Sequence, residues 1–284
     1  MPPAAAKPSF GRVALIGKLR GPEVEAALRE MRAFLLERGC EVLAEGETSA
    51  DLAVVIGGDG SLLAAARELV RQRVPLVGIN LGRVGFMTDI GQADMRTGIG
   101  AILDGKFTIE ERSLLDAEIR RGAETVLRTI ALNEAVVGKG SEGRLIEFTL
   151  SLDGEFVYTL RADGMIVATP TGSTAYALSA QGPILHPAVP AFALVPLNPH
   201  TLSARPVSVA DRCRIEISLE RALDARAYFD GVAHADMAEG DRLLLRRSAD
   251  VMRFVHPPGY RYFATLREKL RWSEAPLQRG RVAD

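Results

Sequence analysis

Leu52-Ala53-Val54-Val55-Ile56-Gly57-Gly58-Asp59-Gly60-Ser61-Leu62-Leu63-Ala64-Ala65-Ala66-Arg67 is an apolar run, a glycine-rich turn carrying one acid, and the start of a helical pattern. A short strand without polar alternation is what a parallel sheet covered on both faces produces. Working outward, Arg12 to Ile16 reads as a strand. Pro22 then opens an amphipathic helix in which Val24, Ala27, Leu28, Met31 and Leu35 recur on one face until Gly39 stops it. Glu41 to Ala44 and Val74 to Ile79 supply further strands, and Ser61 to Arg73 supplies a helix between strands. Strands alternating with helices predict an α/β arrangement.

The period changes near residue 113. Leu145 to Leu160 alternates apolar and polar residues about Asp153-Gly154, the strongest short-range signal for a hairpin. Arg214 to Leu219, Arg226 to Phe229 and Arg242 to Arg246 repeat the alternation, with Asp230-Gly231 and Gly240-Asp241 as turns. The expected organisation is a disordered Pro/Ala-rich tail over 1–9, an α/β domain over 10–112 and a β-rich domain of antiparallel strands over 113–262, with no internal repeat.

Among 284 residues, 47% are hydrophobic and 25% charged, as in ordinary globular chains. Lys plus Arg number 35 against 36 Asp plus Glu, so a net charge of −1 gives no broad attraction to nucleic acid or anionic membrane. Any bound anion needs a local site. Cys40 and Cys213 lie far apart without CxxC spacing and read as reduced packing residues, which favours the cytoplasm. No apolar run reaches the roughly 20 residues of a bilayer-spanning helix, and MPPAAAKPSF lacks the apolar core of a signal peptide. His186, His200, His234 and His256 are scattered, so no zinc site built from protein ligands is expected.

Glycines between a strand and a helix let backbone amides approach a phosphate, and the helix N-terminus adds partial positive charge. Gly57-Gly58-Asp59-Gly60-Ser61 provides that context without being a Walker A loop, since no GK[ST] follows. An acid inside an anion-binding loop is unfavourable unless it binds a metal ion, accepts a proton from an attacking hydroxyl or binds a sugar hydroxyl. The alternative is that Asp59 only caps its own helix.

Two further segments carry chemistry. From Asp163 to Pro183 an apolar strand enters a loop dense in hydroxyls and glycine (Thr169-Pro170-Thr171-Gly172-Ser173-Thr174-Ala175-Tyr176). A short helical stretch follows, which Ser173 or Thr174 could cap and Gly182-Pro183 would end. Its hydroxyls and amides suit phosphate or ribose oxygens and Tyr176 offers a face or a donor to a base, or else the hydroxyls satisfy only local backbone. Asn133-Glu134 interrupts an apolar run, which marks either a bulge or a ligand-facing corner.

In this order and spacing, Gly57 to Gly60, Asn133-Glu134 and Asp163 to Pro187 resemble the NAD kinase family. The likeness extends through Gly78-Ile79-Asn80-Leu81-Gly82, Gly85-Phe86-Met87-Thr88-Asp89, Pro199 to Pro206, Tyr262 to Leu266 and Lys269 to Ser273. It covers most of residues 12–273. The GGDG element is shared with phosphofructokinases and diacylglycerol-type lipid kinases, whereas the stretch from Asp163 is specific.

The resemblance implies a reaction in which the γ-phosphate of ATP passes to the adenosine 2′-hydroxyl of NAD, giving NADP and ADP. Asp59 would be catalytic. Gly57, Gly58, Gly60, Phe86, Asn133, Glu134, Arg144, Arg161 and Asp163 would hold nucleotide, as would Thr171, Thr174, Ala175, Tyr176, Ala177, Leu178 and Ser179. It also implies a sandwich-like second domain with the site between the domains, a segment 263–284 packing back on the α/β domain, and a homo-oligomer, dimer or tetramer, whose neighbouring subunits help complete the site. A divalent cation, Mg²⁺, would ride on the ATP phosphates without a protein cage.

One position and one connection depart from the family pattern. Val232 stands after Asp230-Gly231 where the family commonly has Gln, which bears on nucleotide affinity, and the connection from Glu41 to Asp51 is short. The competing readings are a kinase of the same loop type acting on a sugar phosphate or lipid, and a non-catalytic dinucleotide sensor. A panel of phosphate acceptors separates the first, and formation of NADP from NAD plus ATP excludes the second.

Overall fold

The computed structural model describes residues 8–17, 21–44, 47, 49–82, 85–141 and 143–272. They build two compact units. The first comprises the described residues up to 65, 74–110 and those from 255; the second comprises 66–73 and 111–254.

In the first unit, β1 (Arg12–Gly17), β2 (Glu41–Leu43), β3 (Leu52–Ile56), β4 (Leu76–Asn80) and the two-residue β5 (Ile90–Gly91) pair in parallel in the order β5-β4-β3-β1-β2. Helix α1 (Pro22–Glu37) follows β1, α2 (Asp59–Leu69) follows β3, and α3 (Met95–Leu103) follows β5. Residues 66–69 of α2 count with the second unit. Every residue of β3 is buried, as its unbroken apolar sequence requires. Helix α1 starts with Pro22 at its first turn and buries Val24, Ala27, Met31, Phe34 and Leu35. It ends in a Schellman motif, with Gly39 at φ 76, its N–H on the Leu36 carbonyl and the Cys40 N–H on that of Leu35.

Helix α2 begins at Asp59, two residues earlier than the apolar pattern places it, and passes at Val70–Gln72 into a 3₁₀ turn. Of the tail expected over 1–9, residues 1–7 lie outside the described residues, and the Ser9 N–H bonds the Leu103 carbonyl. The C-terminal helix, Tyr262–Leu270, buries Leu266; Ser273 of the Lys269 to Ser273 element lies outside the described residues. Because β2 is added on one side of β1 and β3 on the other, the strand order reverses between β1 and β3. Doubly wound sheets bind ligands at such a switch point, beyond the strand C-termini. The GGDG turn follows the C-terminal end of β3.

The second unit is built of strands. They are β6 (Thr108–Arg121, from residue 111), β7 (Glu124–Ala131), β8 (Glu134–Lys139), β9 (Ile146–Leu152), β10 (Glu155–Ala162) and β11 (Gly164–Ala168). After the short helix α4 (Tyr176–Ser179) come β12 (Ala191–Leu197), β13 (Val207–Ala210), β14 (Ile215–Arg221), β15 (Ala225–Phe229), β16 (Ala233–Met237) and β17 (Arg242–His256). One sheet has the order β13-β12-β11-β8-β15-β16, with antiparallel neighbours. The other runs β10-β9-β14-β17, with β6 on β17 and β7 on β6.

Both sheets feed one core, in which Val137, Val167 and Phe229 meet Phe148, Ile217 and Leu243. The alternate residues Val136, Ile166, Ala193 and Val195 point to the opposite face of the first sheet, where Ala177 and Leu185 cover them. Covering on both faces explains why β8, β11 and β12 read as continuous apolar runs although their pairing is antiparallel. The hairpin β9–β10 turns at Asp153-Gly154, both at positive φ (52 and 86), as an Asp-Gly turn allows.

Candidate active site

At the end of β3 the chain turns at Gly57, where φ is 152 and a Cβ would stand 2.4 Å from Ser61 Oγ. Among the described residues, a Cβ at Gly58 or Gly60 would meet nothing within 4 Å. Ser61 and Leu62 N–H groups bond the Gly58 carbonyl, 2.9 and 3.2 Å away.

Asp59 does not cap its own helix. Its Oδ2 accepts the Phe86 N–H at 2.8 Å, and its Oδ1 accepts the Met87 N–H at 3.1 Å and the Thr88 hydroxyl at 3.4 Å. The half-buried acid is thereby oriented by a second loop of the same unit, the one bearing the predicted site residue Phe86. Thr88 is fully buried, and its oxygen also accepts the Asn80 side-chain amide at 3.3 Å and the Gly85 N–H at 2.7 Å. Gly85 is glycine for a spatial reason, because a Cβ there would fall 2.0 Å from Asp59 Oδ1.

In the second unit the structure brings Asn133-Glu134 and the hydroxyl-rich loop together. The Asn133 carbonyl accepts the Thr169 N–H at 2.8 Å, the Leu132 carbonyl accepts the Thr169 hydroxyl, and a Cβ on Gly172 would lie 2.0 Å from the Asn133 carbonyl oxygen. Ser173 and Thr174 form no side-chain cap. Their hydroxyls donate to the Pro170 and Thr171 carbonyls, and a 3₁₀ turn, Gly172–Thr174, is separated from α4 by Ala175. Thr171 and Ala177 are buried, Leu178 is half-buried, and Tyr176 and Ser179 are exposed. A groove of about 590 Å³ opens beside Tyr176 and Ser179 and runs past Asn198 to Arg205.

Asn133 and Glu134 are both buried, and Asn133 Oδ1 and Glu134 Oε2 have no hydrogen-bond partner among the described residues. Burial first, and then the nearby Asp230 charge, push the Glu134 carboxyl up to about 7, although the Tyr176 N–H bonds it. Asp230 is the residue that sequence reading missed here, taken only as a turn. Its buried carboxylate accepts the N–H groups of Leu132, Asn133 and Glu134 at 3.0, 2.7 and 3.3 Å. Val232, two residues on, is an exposed apolar side chain.

Asp163 links β10 to β11. Lys139 Nζ stands 2.6 Å and Asn198 Nδ2 2.8 Å from its carboxylate, and these two bonds hold its pKa below the usual carboxylate value. Arg161 is exposed on β10 and faces Glu147 at 3.8 Å, and Arg144 is exposed after β8; among the described residues no hydrogen bond or ion pair joins either to the Asn133-Glu134 corner.

An acid oriented in a glycine turn at the switch point of a parallel sheet is the equipment of a nucleotide-dependent phosphotransferase. Residues 40–107 match the ATP-NAD kinase N-terminal domain, and residues 132–257 match the ATP-NAD kinase C-terminal domain. An NAD kinase of Aromatoleum aromaticum is 54% identical over 288 residues, covering 94% of this chain and 96% of that protein. An Archaeoglobus fulgidus NAD kinase, solved in complex with ATP, is 28% identical with a TM-score of 0.77, over 92% of this chain and 98% of that one. Yeast NADH kinase complexed with NADH shares the fold at a TM-score of 0.84 and 21% identity, over 98% of this chain and 90% of that one. The chain belongs to the ATP-NAD kinase family.

Proposed function

We infer that the NAD kinase activity of this family is carried in this chain by Asp59, with ATP as phosphoryl donor and the adenosine 2′-hydroxyl of NAD as acceptor. The observation that carries the reading is the three-point grip of Phe86, Met87 and Thr88 on the Asp59 carboxylate. Phosphoryl transfer depends on alignment and charge stabilisation more than on covalent chemistry, so a carboxylate with a fixed direction is the group the reaction needs. Asp59 orients the 2′-hydroxyl and takes its proton as the oxygen bonds the γ-phosphorus and the bond from that phosphorus to the β-phosphate oxygen breaks, leaving ADP.

The open space at Gly58 and Gly60, with the α2 N-terminus behind them, suits phosphate oxygens. Asn133 Oδ1 and Glu134 Oε2 supply buried acceptors for nucleotide hydroxyl or amino groups. Tyr176 and Ser179 offer a ring face and a hydroxyl, while Thr171, Thr174, Ala175, Ala177 and Leu178 shape the loop behind them. Phe86 flanks Asp59; Asp163 contacts NAD, and Arg144 and Arg161 meet its anionic oxygens.

Among the described residues no group of three or more His, Cys, Asp or Glu side chains is placed to hold a metal ion. We write the divalent cation, Mg²⁺, as part of the ATP substrate, where it neutralises phosphate charge. We also propose a homo-oligomer, on the family likeness. The free cysteines Cys40 and Cys213 support a cytoplasmic setting.

The test is an assay of purified protein with ATP, Mg²⁺ and NAD, comparing wild type with Asp59→Asn. The variant should lose at least ~10²-fold in kcat while retaining NAD binding. Unchanged turnover removes Asp59 from the mechanism.

A further inference from the structure

The first unit buries one histidine that phosphoryl transfer does not use. His256, the last residue of β17, is 2% exposed. Its Nδ1 bonds Asp89 Oδ2, and its Nε2 stands 3.0 Å from Glu110 Oε2. The ring stacks on Tyr260, with centroids 3.8 Å apart and planes 7° from parallel. With a carboxylate at each nitrogen, both bonds are made together only when both nitrogens carry protons. Burial opposes the charge, but the bonds to Asp89 and Glu110 outweigh it and raise the histidine's pKa.

The placement of Asp89 gives the cluster its meaning. Asp89 directly follows Phe86, Met87 and Thr88, the residues that hold Asp59. At its downstream end, Thr88, that loop is tied to β4, where the Asn80 amide bonds the Thr88 hydroxyl oxygen and a Cβ on Gly78 would stand 2.7 Å from Thr88 Cγ2. Downstream, the chain enters only the two-residue strand β5. Between Thr88 and the buried Ile90 of β5, the link from Asp89 to His256 is a further tie at the same end of the loop.

We propose that His256 is a positioning residue for NAD phosphorylation: by bonding Asp89 it fixes the downstream end of the Gly85–Thr88 loop and so sets the direction of the Asp59 carboxylate. The effect on turnover rests on the reading of Asp59 given above, whereas the tie between His256 and the loop does not.

The experiment compares His256→Gln, Asp89→Asn and the double variant with wild type and Asp59→Asn. Steady-state kinetics with ATP, Mg²⁺ and NAD are measured together with backbone hydrogen exchange over 85–89. Both single variants should lose about 10- to 100-fold in kcat with KM for both substrates near wild type, the signature of a misdirected group instead of a lost binding contact. Exchange over 85–89 should quicken in both. The double variant should be no worse than the poorer single one, because the two residues act as one unit. Asp89→Asn keeps shape and an acceptor, so it carries the test if His256→Gln does not fold.

Full kcat in folded variants, or a raised KM at unchanged kcat, overturns the proposal. An inactive Asp59→Asn beside unaltered loop exchange in the other variants also overturns it and leaves the Asp59 reading intact. An active Asp59→Asn with quickened loop exchange does the reverse.

Discussion

Arg67 Nη1 donates to Asp230 Oδ2 across 3.1 Å, joining a guanidinium near the end of α2 to a carboxylate with no exposed surface. The same nitrogen donates to the Ile130 carbonyl at 2.7 Å, and Nη2 to Thr129 Oγ1 at 3.1 Å. The arginine thus braces the end of β7, while Asp230 gathers the three amides that follow it. The three amides around this carboxylate belong to buried residues and the guanidinium is largely buried, so losing the acceptor costs more than one exposed bond.

Replacing Asp230 with Ala leaves three amides without their acceptor and the Arg67 guanidinium without its counter-charge. Breaking a buried charged pair costs about 3–5 kcal/mol, and equilibrium denaturation of the ligand-free protein should read a loss of that order. The remaining folded protein should show a raised KM for NAD, since Asn133 and Glu134 lose their seat. A loss below about 1 kcal/mol would show that the network does not brace the corner.

Gly85→Ala probes the Asp59 grip without touching the acid. The added methyl falls 2.0 Å from Asp59 Oδ1, so the carboxylate or the loop must move. A displacement of this size should lower kcat by up to about 10²-fold with thermal stability changed far less than turnover. Wild-type kcat would mean that Asp59 works equally well in another direction.

Glu134 yields a prediction whose sign is opposite to the usual carboxylate case. Its pKa rises from 4.5 to about 7 on folding, so the folded protein holds the proton more tightly than the unfolded chain does. The stabilising contribution is complete below 4.5 and is lost as pH climbs through about 7. Glu134→Gln should therefore be the more stable protein at pH 8, by roughly 3 kcal/mol at most, with the gap closing towards pH 4.5. Thermal melts across that range check it, and the same variant should bind NAD more weakly. A gap independent of pH would place the titration elsewhere.

Tyr176 is 48% exposed beside the groove. Tyr176→Ala should leave stability within about 0.5 kcal/mol and raise KM for NAD, and Tyr176→Phe should restore KM if the ring face is what binds. Equal impairment in both variants would assign the contact to the hydroxyl.

How far the sequence alone reaches follows from where each signal resides. Leu52 to Ile56 and the turn after it declare themselves, because a buried parallel strand and a glycine corner are local patterns. Asp153-Gly154 does the same for its hairpin. Strand β6 was not read as a strand, since Glu110, Glu111 and Arg112 break any apolar alternation at its start. In the candidate site, Asp59, Asn133, Glu134 and the loop from Thr169 stand out by composition. Asp230 and His256 do not. Asp230 reaches Asn133 across 97 positions and His256 reaches Asp89 across 167, and no local period records a partner that distant. The role of the hydroxyls was likewise undecidable beforehand, because Ser173 and Thr174 could serve ligand or backbone equally until their acceptors were seen.

Strand β17 runs to His256, and Val255 belongs to the same core as Val13 and Val54. The unit that holds β1 therefore lacks part of its interior until residue 255 has been synthesised. While the ribosome is still at work, that half of the chain must wait with apolar surface uncovered, and a nascent chain truncated before residue 255 would be a substrate for chaperones and proteases instead of a smaller folded protein.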